Sequence, residues 1–242
     1  MNRLFITGDT HGRFDKIEYL CRKENTSTDD ICIILGDAGI NFYLNDTDAI
    51  KKCRLSKLPI TLFCVHGNHE ERPYNISSYE ICDFMGAEAY YEAAYPNLIF
   101  AKDGEIYNIN DKTMMPIGGA YSVDKFYRLS QGMTWFPSEQ PDENIKHHVE
   151  NNLTKSDWHI DYILSHTTPF SCEPTWAFIE GIDQSTVDNS TEKWLDAIHA
   201  KLSFSYWFAG HFHVDSVEND VHILFDSVIR LDTDMNKIYR IM

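Results

Sequence analysis

No stretch of this 242-residue chain approaches the roughly 18 consecutive apolar residues that a membrane span requires. The N-terminus also lacks the basic region and long apolar segment of a secretory signal, since Met1 runs directly into a strand-like stretch. A cytoplasmic protein with no membrane partner is expected. Pro/Gly/Ser-rich linkers, low-complexity tracts and fixed-period repeats are missing as well, which leaves one domain over residues 1–242 as the simplest organisation. The six cysteines form no CxxC pair, and Cys32 and Cys64 lie inside apolar runs, so buried reduced thiols are expected in place of disulfides or a structural zinc. Positive charge is scarce: 21 Lys and Arg stand against 37 Asp and Glu, a net charge of −16. Extended binding to a nucleic-acid backbone, which needs clustered cations to displace counterions, is disfavoured.

What the chain does have is a series of short apolar runs that end in polar residues. Arg3 to Thr7 ends at Gly8-Asp9, Asp30 to Leu35 at Gly36-Asp37, and Pro59 to Val65 at Gly67-Asn68-His69. Between them, Phe14, Ile17, Tyr19, Leu20 and Lys23 carry a helical period, and so does Asp46 to Leu55, with Asp46 or Thr47 as the N-cap. Alternating strands and helices imply parallel βαβ units, whose ligands gather beyond the carboxyl ends of the strands. Ile160 to Leu164 then ends at Ser165-His166, and Tyr206 to Ala209 at Gly210-His211-Phe212-His213, with a helix expected over Ser190 to Leu202. The segment Glu88 to Gly118 holds strand candidates at Ala89–Tyr91, Leu98–Ala101, Ile106–Ile109 and Met114–Ile117, expected to extend or complete a second sheet.

Carboxylate oxygen, amide oxygen and imidazole nitrogen are the donors that hard and borderline divalent cations favour, and these tips supply all three. Asp9 and His11 share one sharp turn and can reach one ion. His211 and His213 fall on the same side of an extended segment. Each tip alone is weak evidence, because Gly-Asp and Gly-His are common at turns and a lone histidine is more often structural. Five apolar runs all ending in Asp, Asn or His are a stronger signal.

The motifs GDTHG (Gly8 to Gly12), GDAG (Gly36 to Gly39), GNHE (Gly67 to Glu70), SHTTP (Ser165 to Pro169) and GHFH (Gly210 to His213) together resemble the signature series of the calcineurin-like metallophosphoesterase superfamily. The resemblance implies an α/β fold, a four-layer α/β/β/α sandwich of two mixed sheets flanked by helices. It implies two divalent metal ions, manganese first, with Fe, Zn, Ni or Mg as other candidates. Asp9, His11 and His213 would hold one ion, Asn68, His166 and His211 the other, and Asp37 would bridge them. His69 would be catalytic, stabilising or protonating the leaving oxygen, while a metal-activated water or hydroxide attacks a phosphate mono- or diester.

The chain departs from protein serine/threonine phosphatases of that superfamily. Where they show GDxVDRG it reads GDAGINF, so Ile40 replaces the carboxylate that orients the catalytic histidine, and His66 stands where they place a phosphate-binding arginine before GNHE. A protein phosphatase and a non-catalytic scaffold of the same fold are thus the alternatives, and a small phosphorylated molecule or nucleotide is the expected substrate. Arg72 and Arg128, with His66, are the candidate substrate contacts. Residues 118–145, rich in aromatics and prolines, are the candidate lid or substrate rim.

Overall fold

The computed structural model describes residues 2–242. Strands are β1 Leu4–Thr7, β2 Ile31–Ile34, β3 Thr61–Cys64, β4 Glu80–Phe84, β5 Ala87–Tyr91, β6 Leu98–Ala101 and β7 Tyr107–Ile109. They continue with β8 Lys112–Ile117, β9 Tyr162–Ser165, β10 Tyr206–Ala209, β11 Ser216–Glu218, β12 Val221–Ile223, β13 Val228–Asp232 and β14 Lys237–Arg240. The α-helices are α1 Asp15–Glu24, α2 Asp46–Leu55, α3 Lys125–Ser130, α4 Glu143–Lys155 and α5 Ser190–His199. Among the described residues no helix is long and apolar enough to cross a membrane.

The strands form two mixed sheets. The first has the order β14-β13-β1-β2-β3-β6-β5-β4, parallel from β1 through β6 and antiparallel outside that block. The second has the order β11-β12-β10-β9-β8-β7, parallel from β12 to β8, with antiparallel edges.

Alternation along each strand separates the layers, because successive side chains point to opposite faces. On β2, Ile31 and Ile33 join Phe63, Tyr162 and Phe208 in a core between the sheets. Cys32 and Ile34 face the other way, onto Ile17 and Leu20 of α1 and Leu55 of α2. On the second sheet Ile163 and Trp207 pack outward against Val149 and Leu153 of α4 and Leu195 and Ile198 of α5. The result is the four-layer α/β/β/α sandwich.

Differences from the sequence reading have local causes. Asn45, not Asp46 or Thr47, caps α2, its side chain accepting from the Thr47 N–H at 2.8 Å. Tyr19 of α1 is exposed, the periodic face being Phe14, Ile17 and Leu20. The strand-rich middle is shared between the sheets: β5 and β6 extend the first through pairing with β3, while β7 and β8 belong to the second. Strands β4, β11 and β13 and helix α3 carry no clear pattern. On β4, Ile81 is exposed at the sheet edge, which erases the alternation that would reveal the strand.

Candidate metal centre

The carboxyl ends of β1, β2, β3, β9 and β10 deliver Asp9, Asp37, Asn68, His166 and His211 to one place. The glycines before them are there because the tips crowd one another. A Cβ on Gly36 would sit 2.0 Å from His166 Nδ1, and one on Gly67 would sit 2.0 Å from Asp37 Oδ1. Four of the candidate ligands leave the backbone from left-handed conformations, with φ of 47° at His11, 49° at Asp37, 68° at His211 and 54° at His213. Such angles are costly for residues other than glycine, and clusters of them mark functional sites.

Two groups of donors emerge. In one, Asp9 Oδ2 lies 3.2 Å from His213 Nε2 and 3.6 Å from His11 Nε2. The two imidazole nitrogens themselves stand 2.8 Å apart. In the other, Asn68 Oδ1 lies 2.7 Å from His166 Nε2 and 3.1 Å from His211 Nδ1. Asp37 stands between, with Oδ2 3.8 Å from His11 Nδ1 and Oδ1 3.9 Å from His166 Nε2.

Proton bookkeeping shows what these groups want. His166 Nδ1 is 2.8 Å from the Leu35 carbonyl, which only accepts, so Nδ1 carries the proton and Nε2 offers a lone pair. Asn68 Nδ2 donates to Ser122 Oγ at 2.8 Å, which turns Oδ1 toward that lone pair. Two acceptors facing each other in a buried site call for a cation between them. Asp9 Oδ2, buried and without a hydrogen-bond partner, makes the same demand.

The charges agree. Burial, then the nearby Asp9, pushes the Asp37 carboxyl well above the usual carboxylate range. Burial, then His166, pushes the His211 imidazole well below its ordinary value, keeping it neutral and able to ligate. Burial works to raise Asp9, but the close approach of His213 and the other imidazoles outweigh it and hold Asp9 low. The donor set, mixed oxygen and imidazole nitrogen without thiolate, fits divalent cations of the borderline kind.

His69 borders the same cavity, of about 760 Å³, together with His11, Asp37, Asn68, His211 and His213. Its backbone N–H is fixed by Asp37 Oδ1 at 2.8 Å. Its ring makes no hydrogen bond among the described residues, and burial, aided by Arg128, pushes it down to about 3. Ile40 is fully buried, so the position that would carry an orienting carboxylate belongs to the core instead.

Arg128 also lines the cavity, and its Nε donates to Asp124 Oδ2 at 2.7 Å. Residues 118–145 form part of the wall through Tyr121, Val123, Asp124 and Arg128. Trp135 and Phe136 do not line it. Trp135 donates to Glu139 at 2.7 Å, and Phe136 is buried.

Two candidate substrate contacts are corrected. Arg72 is buried, with Nη1 2.5 Å from Asp103 Oδ2 and Nε donating to the Ser138 carbonyl at 2.9 Å. His66 is buried beside it, and both line a separate cavity of about 190 Å³ instead of the one at the ligand cluster. Their place next to GNHE in sequence put them near the site, but burial behind the loop at Gly118 and Gly119 turns them away from it.

Residues with no signal in the sequence also reach the cavity: Asp124, Glu173 and Glu192. Asp124 was within reach, lying four residues before Arg128 in the same segment. The glutamates stand outside every motif.

A profile of the calcineurin-like phosphoesterase family matches residues 3–215. Among curated proteins none matches the chain in sequence. Of solved structures, the protein TT1561 of Thermus thermophilus is 10% identical, with a TM-score of 0.54, covering 99% of this chain and 97% of its own. Another is 14% identical, with a TM-score of 0.53, covering 99% of this chain and 98% of its own. At such identities the likeness is one of fold. The match over residues 3–215, laid on two mixed sheets whose strand tips converge on one cluster of donors, makes this chain a member of the calcineurin-like phosphoesterase family.

Proposed function

We propose that the chain hydrolyses phosphate mono- or diesters of small molecules or nucleotides with a pair of divalent cations, manganese among them. Asp9, His11 and His213 would hold one ion, Asn68, His166 and His211 the other, with Asp37 shared. The observation that carries this reading is the facing of His166 Nε2 and Asn68 Oδ1 at 2.7 Å, with the proton and the amide nitrogen both committed elsewhere.

Bound there, the ions would neutralise phosphate charge and lower the pKa of water. The chain's own groups do the rest. Arg128, held by Asp124, offers its guanidinium to a phosphate oxygen in the cavity. His69, neutral across the physiological range, stabilises the leaving oxygen by donating a hydrogen bond from its ring N–H. Residues 118–145 and Phe170 wall one side of the cavity.

The test is turnover of p-nitrophenyl phosphate and its bis ester by metal-stripped and manganese-loaded protein, with metal content measured in parallel. Loaded protein should act on at least one ester. His166→Ala should lose metal and turnover together, whereas His69→Ala should keep metal and lose turnover by about 10²–10⁴-fold. No metal-dependent turnover on either ester would sink the proposal.

A further inference from the structure

The cavity at the ligand cluster has a second end, and its chemistry is opposite. Glu192, in the first turn of α5, is buried; its Oε1 accepts from Thr167 Oγ1 at 2.9 Å. Its Oε2 is buried with no partner at all. Glu173 lines the same cavity, and so do Phe178, Phe212, Ile179 and Ile182. The rings of Phe178 and Phe212 lie near parallel, at 10°, with centroids 6.1 Å apart, presenting flat aromatic surface.

An unpartnered carboxylate oxygen in such a place needs an N–H or O–H donor, and leaving it without one is costly. The nearby lysine does not supply it. Lys193 places Nζ over the Phe170 ring at 5.6 Å and does not line the cavity. Burial and the neighbouring Glu173 push Glu192 up to about 7, and burial does the same for Glu173, with Lys193 offsetting it only in part. A ligand suited to the whole cavity is therefore anionic at one end, where Arg128 and the histidines stand. At the other end it is flat and rich in hydrogen-bond donors.

Resting on the phosphoesterase reading, we propose that this end of the cavity is a base-recognition subsite, in which Glu192 with Glu173 receives the N–H donors of an amine-bearing purine on the phosphate ester. Guanine presents two adjacent donors, N1–H and the 2-amino group, which match one carboxylate bidentately. A cationic aminoalkyl group is the other source of N–H donors, and the flat apolar wall favours the base over it.

The experiment compares p-nitrophenyl esters of guanosine, inosine and uridine monophosphates, p-nitrophenyl phosphorylethanolamine, and bis(p-nitrophenyl) phosphate. The manganese-loaded full chain is assayed at about pH 8, where a carboxyl of this kind is mostly ionised. Removing the 2-amino group deletes a hydrogen bond to a charged acceptor, so kcat/KM for guanosine should exceed that for inosine by about 10- to 100-fold. In Glu192→Gln, which preserves side-chain shape, the guanosine to inosine ratio should fall toward one. A purely structural Glu192 would lower all esters alike and leave that ratio intact, which would overturn the proposal. So would a wild-type ratio near one, or a preference for the ethanolamine ester over guanosine. Turnover of bis(p-nitrophenyl) phosphate without base preference refutes this subsite alone, as does turnover of p-nitrophenyl phosphate with none of the diesters, while no turnover of any of these diesters or of p-nitrophenyl phosphate refutes the phosphoesterase reading beneath it.

Discussion

Glu192 makes the sharpest prediction at the scale of single residues, because its carboxyl has lost water and gained no cation. Its folded pKa, about 7, lies above the ordinary 4.5, so the folded chain holds a proton that the unfolded chain has released between those values. The stability this proton represents is full below about pH 4.5 and is lost as pH rises through about 7, at about 1.4 kcal/mol per pH unit. Glu192→Gln cannot lose it. Urea unfolding of the metal-stripped proteins at pH 5 and pH 8 should show the variant gaining on the wild type by about 2–3 kcal/mol at the higher pH. An equal offset at both pH values would count against a buried, unpaired carboxyl. Arg72 gives the complementary case. With Asp103 left uncompensated, Arg72→Ala should cost about 3–5 kcal/mol of stability while leaving KM for any ester close to wild type. The sequence could not separate these two residues by role. Motif glycines announce Asp37 and Asn68 because steric crowding at the tips leaves no alternative to glycine. Whether an arginine faces solvent, substrate or a buried aspartate depends on a partner 31 positions away.

At the scale of elements, residues 118–145 split their labour. Asp103 Oδ1 accepts from the Gly118 N–H at 2.7 Å, and the His66 carbonyl accepts from Gly119 N at 2.9 Å, which pins the start of the segment. Ala120 N donates to the Glu139 carbonyl at 3.1 Å, closing the segment into a loop around α3. Arg128 thus reaches the cavity from a braced support. Arg128→Ala should lower kcat/KM by about 10- to 100-fold, chiefly through KM, with little change in melting temperature, because the lost contact is a charge-assisted hydrogen bond to substrate. A fall in melting temperature with unchanged KM would assign Arg128 to packing. Length and composition single this segment out as a candidate rim, and Tyr121, Val123, Asp124 and Arg128 do line the cavity, whereas α3 was not readable. Its six residues bury no side chain, so no periodic face exists to be seen. The parallel strands were legible for the opposite reason: buried on both faces, β1, β2 and β9 read as unbroken apolar runs.

For the molecule as a whole, the ligand cluster joins both sheets, since β1, β2 and β3 belong to one and β9 and β10 to the other. Any ion held there ties the layers together and stabilises the folded state by mass action. At 100 to 1,000 times its dissociation constant each ion adds about 3–4 kcal/mol, and in a chain of this size each kcal/mol moves the melting temperature by about 2–4 °C. Chelation should therefore lower the melting temperature by about 10 °C or more, with recovery on adding manganese; a melting curve indifferent to chelator would argue against ions at that seam.

The placing of β13 has a consequence for how the chain is made. Leu4 of β1 pairs with Leu231, and Thr7 with Val228, so a strand near the start of the chain waits for one that leaves the ribosome after every other member of its sheet but β14. Throughout translation β1 offers an open edge beside β2, in a tract where every side chain is apolar or β-branched. The growing chain must be shielded over that interval, and premature release before Val228 would yield fragments that carry most of the candidate metal ligands yet cannot close the sheet that holds them.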